Sequence, residues 1–337
     1  VNPRLKAILF LVLVNVLWGL SFSTVKALNA QFDLQFQGRV DPEGWLFRIS
    51  AAAFIIGSRF ACALVLFHAF FPRLTRLVTR REFIAGSLIG LSFLVGLILQ
   101  TIGLAMIPAS RSGFLTSLTV VIIPTLVAWT HGRYPPQRVF WGVCLSLLGV
   151  SILTGLLVWD ETGLHLAQDS LRAWTLGDTL TVISTFFFSV QILSIDHFSQ
   201  NLNPATFTYG MFACITACAW LIFFLCRFYQ PAVLPWNDYW LLASKPGFWS
   251  LIGLLSIFPS LLAFSWMNTY QPQVTAVQAT VIYTLEPVFV TAWALVLPGW
   301  FHRLFALPMH QESLTLPMLL GGLLILSANV LSLWPRG

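Results

Sequence analysis

The sequence predicts an all-α integral membrane protein with ten transmembrane helices arranged as two inverted five-helix repeats. Three observations predict it. Hydrophobic residues make up 57% of the 337 positions and charged residues only 9%. A soluble domain carries about 25% charged residues, and its interior is too small to hide this much apolar surface. The apolar residues also gather into runs of the ~20 residues a helix needs to cross the hydrocarbon core. Finally, the two halves of the chain match each other at a nearly constant offset.

Ten such runs lie near residues 5–28, 49–71, 83–104, 111–130, 139–158, 176–195, 204–226, 247–267, 274–297 and 315–334. Most connections are short, as antiparallel neighbours require. The longer ones are 29–48, 159–175, 227–246 and 298–314. The N-terminal run is too long for a cleaved signal and reads as the first span. The formal net charge is +6, from 18 Lys and Arg against 12 acids. Most of these bases sit between apolar runs, a topological pattern and not a nucleic-acid surface. Ten spans put both termini on one side. In the first half that side holds eight Lys and Arg against three, and in the second half one against four. The dense early group Arg73, Arg76, Arg80 and Arg81 decides the orientation, so both termini are expected in the cytoplasm, with the chain in the cell (inner) membrane. Trp45, Trp141, Trp159, Trp174, Trp236, Trp240, Trp249, Trp300 and Trp334 fall near span ends, where amphipathic rings settle at headgroup level. All five cysteines lie inside or at the end of apolar runs. Cys214 and Cys218 share a helical face, but no His or acid completes a metal set. Neither a disulfide framework nor a metal or other cofactor is expected.

Ile89-Gly90-Leu91 recurs as Ile252-Gly253-Leu254, 163 positions later, and Pro124 recurs as Pro287 at the same offset. Gly142 then matches Gly321 and Gly149 matches Ala328 at an offset of 179. The difference measures an insertion at about 298–314. The chain divides into a first five-helix unit at 1–158, a connecting loop at 159–175 and a second unit at 176–337. Five is odd, so the second unit is inverted relative to the first. Inverted repeats let one central site face either side of the membrane in turn.

Asn15-Val-Leu-Trp18-Gly19-Leu-Ser21-Phe22 in the first span, Arg59-Phe60 in the second, Gly177-Asp178 opening the sixth, Leu285-Glu286-Pro287-Val288 in the ninth and Glu312 before Ser-Leu-Thr form an ordered set. In that order and spacing they resemble the drug/metabolite transporter superfamily, in its EamA-like ten-helix branch. The resemblance covers about residues 5–334. The first-half turn departs from it: His131-Gly132-Arg133-Tyr134-Pro135 lacks the usual Glu. The resemblance implies a secondary transporter, often an exporter, of small organic metabolites or drugs, with a small-molecule substrate and membrane lipids as its partners and no nucleic acid. It leaves the oligomeric state open.

Transport needs polar groups near mid-bilayer that face a cavity, because polar groups facing lipid are costly. Glu286 stands about halfway along the ninth run, directly before Pro287, which removes a backbone N–H and lets the helix open. It is a candidate for substrate binding or proton coupling, and a packing acid bonded to a hydroxyl or to Arg59 is the alternative. Thr275, Ala279 and Tyr283 share its face. Trp18, with Asn15 and Ser21 nearby, either stacks on a solute ring or packs in the bundle. Trp266 is a weaker case of the same kind. Gln100, Thr116 and Gln191 lie deep in their spans; with Ser112 and Thr119 they form a cavity wall or back-bond to their own helices. Arg59 and Asp178 are read as structural charges, Arg59 in an ion pair or backbone contact and Asp178 on a helix dipole. Lys26 is expected to snorkel from the end of the first span. Gly86 and Gly90 set a close helix approach.

Two other classes remain. His165 and Asp169, four apart in a loop, invite a membrane-embedded lipid or acyl-group transferase, but no second catalytic partner or known catalytic motif accompanies them, so no enzyme is expected. A channel or a scaffold without carrier activity is the other, and it lacks the rings of charge that line a pore.

Overall fold

A computed structural model describes residues 3–37, 44–130, 137–160, 163–166, 174–229, 235–274, 279, 282–309 and 311–333. Its helices are α1 (Pro3–Phe36), α2 (Trp45–Phe70), α3 (Pro72–Leu77), α4 (Arg80–Met106), α5 (Ala109–Thr116), α6 (Thr119–Thr130) and α7 (Gln137–Leu153). After a two-stranded hairpin come α8 (Leu176–Ser199), α9 (Phe207–Tyr229), α10 (Trp236–Ala243), α11 (Pro246–Leu255), α12 (Ala263–Tyr270), α13 (Glu286–Phe305) and α14 (Leu316–Leu333). Among the described residues, eight helical stretches are long and apolar enough to cross a membrane, and two shorter apolar helices, within α7 and α14, accompany them. Leu5, Leu9 and Leu13 of α1 and Leu316, Leu319, Leu320 and Leu323 of α14 are exposed at helical spacing. Such faces suit lipid, and together they describe a multi-pass membrane protein.

Several details differ from the expectation. The run at 111–130 is two helices, α5 and α6, parted at residues 117–118. The run at 247–267 is interrupted by a π-helical segment, Ser256–Leu262. The connection at 159–175 contains part of an antiparallel hairpin, β1 (Leu157–Asp160) with β2 (Gly163–Leu166), that pairs Val158 with His165. The turn at 131–136 and the side chains of Trp159, His165, Asp169 and Trp334 lie outside the described residues. The other expected interface tryptophans stand near helix ends, and Trp45, Trp141, Trp236, Trp240, Trp249 and Trp300 are exposed there.

Two helix starts carry capping boxes, in which a side chain satisfies amides that the helix leaves unpaired. In α4 the Thr79 hydroxyl accepts from Glu82 N at 3.3 Å, and Thr79 N donates to Glu82 Oε2 at 2.8 Å. In α8, Asp178 N donates to the Thr175 hydroxyl at 3.3 Å, and Thr175 N donates to Asp178 Oδ2 at 2.7 Å. Asp178 does more than favour the dipole. It also takes a two-pronged bond from Arg111, with Nε and Nη2 each at 2.6 Å from a carboxylate oxygen, and this fastens α5 to α8.

The principal packing partners are α7 with α14, α4 with α8 and α9, α2 with α9, and α1 with α13 and the α11–α12 segment. Glycine makes the closest crossings. A Cβ on Gly90 would lie 2.9 Å from Met211 Cα, and one on Gly210 would lie 2.6 Å from Phe83 O. Gly149 and Gly321 face each other in the same way across α7 and α14. Two large apolar clusters result. One joins the end of α1 to α2, α10 and α11, and the other joins the start of α1 to α4, α8, α9 and α12.

Gly90→Val is expected to lower the melting temperature in detergent, overpacking a tight contact at a cost of about 1–3 kcal/mol. Gly253→Ala, where a Cβ meets nothing within 4 Å, is expected to leave melting unchanged or raised. Asp178→Ala strips the cap and leaves Arg111 without this carboxylate, an expected loss of about 3–5 kcal/mol read by the same melt.

Candidate functional site

Two breaks in regular helix border one cavity, and another touches it through Arg59. The first parts α5 from α6. There Ser117 Oγ donates to Phe114 O at 2.7 Å and Thr119 Oγ1 donates to Thr116 O at 2.6 Å, so local hydroxyls occupy carbonyls near the break. The second is the π-helical segment with Pro259 inside it, a position where the ring removes a ladder donor. Ser256 Oγ donates to Arg59 O at 2.9 Å, and Arg59 Nε donates to Ser260 Oγ at 2.6 Å. The third is the start of α13 at Glu286, with Pro287 in its first turn, where no amide is missed. Glu286 therefore does not sit midway along a continuous helix. It opens one.

The cavity, of about 70 Å³, is lined by Trp18, Ser21, Arg59, Gln100, Thr116, Thr119, Gln191, Tyr283 and Glu286 together with Phe22, Phe93, Phe188 and Phe264. Nine of the polar or aromatic residues singled out in the sequence thus meet at one place, from six separate helical stretches. Asn15 and Trp266 do not join them. Asn15 is buried and donates to Leu11 O at 2.7 Å, while Trp266 packs edge-on against Phe10 with centroids 5.0 Å apart. Asp178 belongs to the α5–α8 fastening. Thr275 lies outside the described residues. Lys26 is not directed to the headgroups: its Nζ donates to Ile107 O at 2.6 Å.

Within the cavity Gln100 Nε2 donates to Thr116 Oγ1 at 3.1 Å, and the Tyr283 hydroxyl donates to Gln271 Oε1 at 2.9 Å. Trp18 packs between Tyr283 and Phe264, with ring centroids at 5.5 and 5.6 Å. Its buried indole N–H has no acceptor among the described residues. Arg59 is buried, and its side chain bonds to a serine hydroxyl in place of the ion pair or backbone contact expected from its sequence setting. Among the described residues neither it nor Glu286 has an ion-pair partner within 4.0 Å. A guanidinium and a carboxyl group therefore share a largely apolar chamber without an ion pair between them. The arrangement can hold a small solute that carries complementary charge or dipole against an aromatic wall. No group of three or more His, Cys, Asp or Glu that could hold a metal occurs among the described residues. Cys214 and Cys218 stand with sulfurs 4.0 Å apart as free thiols.

Phe22 ends the first-span motif, but nothing in the sequence marked it, Phe93, Phe188, Phe264 or Ser117 as cavity lining. The chain has 29 Phe, and only the fold selects these four. Gln271 and Ser260, which hold Tyr283 and Arg59, were also missed. Pro259 inside an apolar run was the one mark that pointed to the π-helical segment.

No family model matches the sequence. An uncharacterized transporter of Archaeoglobus fulgidus is 25% identical over 329 residues, covering 97% of this chain and 86% of that protein. A crystal structure, described only as that of a protein, shares the fold with a TM-score of 0.54 at 19% identity, over 97% of this chain and 96% of its own. The chain is thus a multi-pass membrane protein similar over almost its whole length to a transporter.

Ser260→Ala removes the only hydrogen-bond acceptor seen for the Arg59 side chain among the described residues. A cost of about 1–3 kcal/mol is expected for the orphaned donor, visible as a lower melting temperature, with Ser260→Thr restoring most of it.

Proposed function

We propose that this chain is a secondary transporter that moves a small organic solute by alternating access around the central cavity. The observation that carries the reading is a chamber bordered by two helix breaks, with a third behind Arg59, that holds Arg59 and Glu286 without an ion pair between them. Charges at membrane depth are costly and face bundle interiors or solute pathways. Broken helices near mid-bilayer are the usual way a carrier builds its site. The similarity to the archaeal transporter supports the same class.

The packing supports ten spans in two inverted units. Number the apolar runs in order and exchange the first five with the second five. The α2–α9 and α7–α14 contacts map onto themselves. The α4–α8 contact maps onto the contact of α1 with α11–α12, and α1–α13 maps onto α8 with α5–α6. A chain with no internal repeat has no reason to obey this exchange. An EamA-like member of the drug/metabolite transporter superfamily, exporting its solute across the cell membrane with both termini cytoplasmic, is the finer form of the proposal.

In this mechanism Glu286 binds a cationic group or carries a coupling proton, and Arg59 balances the opposite end of the solute. Trp18 and the phenylalanines exclude water and stack on its apolar part. Comparing metabolites inside and outside cells that lack or overproduce the protein identifies the solute. Reconstituted with that solute, Glu286→Gln is expected to lower transport by about tenfold or more, the equivalent of ~1.4 kcal/mol, and to flatten its pH dependence. Unchanged transport with an unchanged pH profile removes Glu286 from the mechanism. Trp18→Ala is expected to weaken apparent affinity more than maximal rate.

A further inference from the structure

A second cavity, of about 340 Å³, lies toward the end of the molecule opposite the N-terminus, between α1, the α4–α5 corner, α13 and the segment before α14. Three helices lead from the central cavity to this vestibule. Along α5 the order is Thr116, Gly113, Ala109; along α13 it is Glu286, Val290, Pro298; along α1, Ser21 is followed by Ser23 and Lys26. Between the two chambers the helices touch. A Cβ on Gly113 would stand 2.8 Å from Val290 Cβ, and one on Gly19 would stand 2.8 Å from Val290 N. Val290 is fully buried. It is wedged between two glycines, and the way from one chamber to the other is shut there.

The position of α5 decides whether that contact exists. This helix has only 8 residues, about 12 Å at the usual rise. One end meets the break at 117–118. The other follows Pro108, which supplies no side-chain cap, so its first amides need a partner from elsewhere. Glu312 provides it from 203 positions away. Its carboxylate accepts from Ala109 N at 2.7 Å, from Ser110 N at 3.3 Å and from the Ser110 hydroxyl in a short bond. Lys26 holds the same corner from the other side through Ile107 O at 2.6 Å. The buried Ser23 hydroxyl lines the vestibule with no partner among the described residues. The first turn of α5 is thus held by a cap borrowed from a distant segment.

We propose that Glu312 is a positioning residue of the transport cycle. Its carboxylate latches the N-terminus of α5 and so keeps the Val290 contact between the vestibule and the central cavity closed. Release of the latch lets α5 turn about the 117–118 break and joins the two chambers. The inference rests on the carrier reading and gives the insertion at 298–314 a purpose: it brings Glu312 over α5. The equivalent turn in the first half has no Glu, so the latch acts at one face alone.

Thiol labelling tests this without knowledge of the solute. In a full-length chain whose five native cysteines are replaced, Ser21→Cys reports on the central cavity and Ala30→Cys, at a half-buried position of the vestibule lining, on the vestibule. A membrane-impermeant sulfonated maleimide is applied to intact cells and to inverted vesicles, and the face from which Ala30→Cys reacts is the vestibule face. From that face Ser21→Cys is expected to react far more slowly than Ala30→Cys. Glu312→Ala is expected to raise the Ser21→Cys rate by about five- to tenfold, the population shift that follows from losing one helix cap. Ser110→Ala, which removes one donor and leaves the acid in place, is expected to raise it less, and it carries the test alone should Glu312→Ala not fold. A Ser21→Cys rate that neither variant changes, or one that already equals that of Ala30→Cys in the parent chain, overturns the latch. Failure of the latch with Glu286→Gln inactive in transport overturns the latch alone. A latch-dependent rate with Glu286→Gln fully active overturns only the role given to Glu286.

Discussion

Hydrocarbon offers no partner to a backbone amide or carbonyl, and this constraint governs the whole structure. A chain with this composition is forced into helices because they satisfy their own backbone. Wherever the helix is interrupted, some other group must supply the missing bonds. Several of the interruptions found here have such groups at hand. Ser117 and Thr119 serve the α5–α6 break, and Ser256 of the π-helical segment bonds both to Ile252 O and to the Arg59 carbonyl. Glu312 serves the start of α5. The central cavity lies beside two of these interruptions.

The same constraint explains how the cavity can keep two ionisable groups apart. Arg59 is anchored through Ser260, so its guanidinium is oriented without being neutralised. Glu286 sits at a helix start, where the ends of amide dipoles favour an anion. Around them stand Trp18, Tyr283 and four phenylalanines, which present ring faces and edges in place of water. At about 70 Å³ the chamber is smaller than the 300 Å³ or more of pockets that hold drug-sized ligands. The conformation described is a contracted one, and the larger open volume lies in the vestibule.

Close helix approach ties the two chambers together. Gly19 and Gly113 bring α1 and α5 onto α13 at Val290, while Gly90 and Gly210 bring α4 onto α9. These contacts have no slack, so a shift in one helix is passed to its neighbour and is not absorbed between them. The long-range contacts that hold α5 and the corner before it come from Glu312 in the segment before α14, from Asp178 of α8 through Arg111, and from Lys26 of α1.

Some of this was legible in the sequence for simple reasons. Run length and charge scarcity are properties of consecutive residues, so the membrane class and the positions of the spans could be read directly. Glu286-Pro287, Trp18 and Arg59 stood out because polar or cation-bearing groups are rare inside apolar runs, and the structure brings these three into one cavity with Gln100, Thr116 and Gln191. What stayed hidden depends on contacts between distant segments. The break at 117–118 and the π-helical turn have little local signature. Asn15 and Trp266 have the right residue types and depth but point elsewhere, a matter of helix rotation. The four phenylalanines that line the cavity are indistinguishable by sequence from the rest. The partner of Glu312 lies about 200 residues away, and only the packing of α14 beside α5 and α7 makes them neighbours. The sequence by itself determined that the chain must be helical in a membrane, because continuous apolar runs of about 20 residues fit self-satisfied helices and not the short alternating strands of a barrel. Tertiary structure decided which polar groups share a chamber and which seal it, because that depends on how helices turn and cross, and crossing is set by contacts no local pattern encodes.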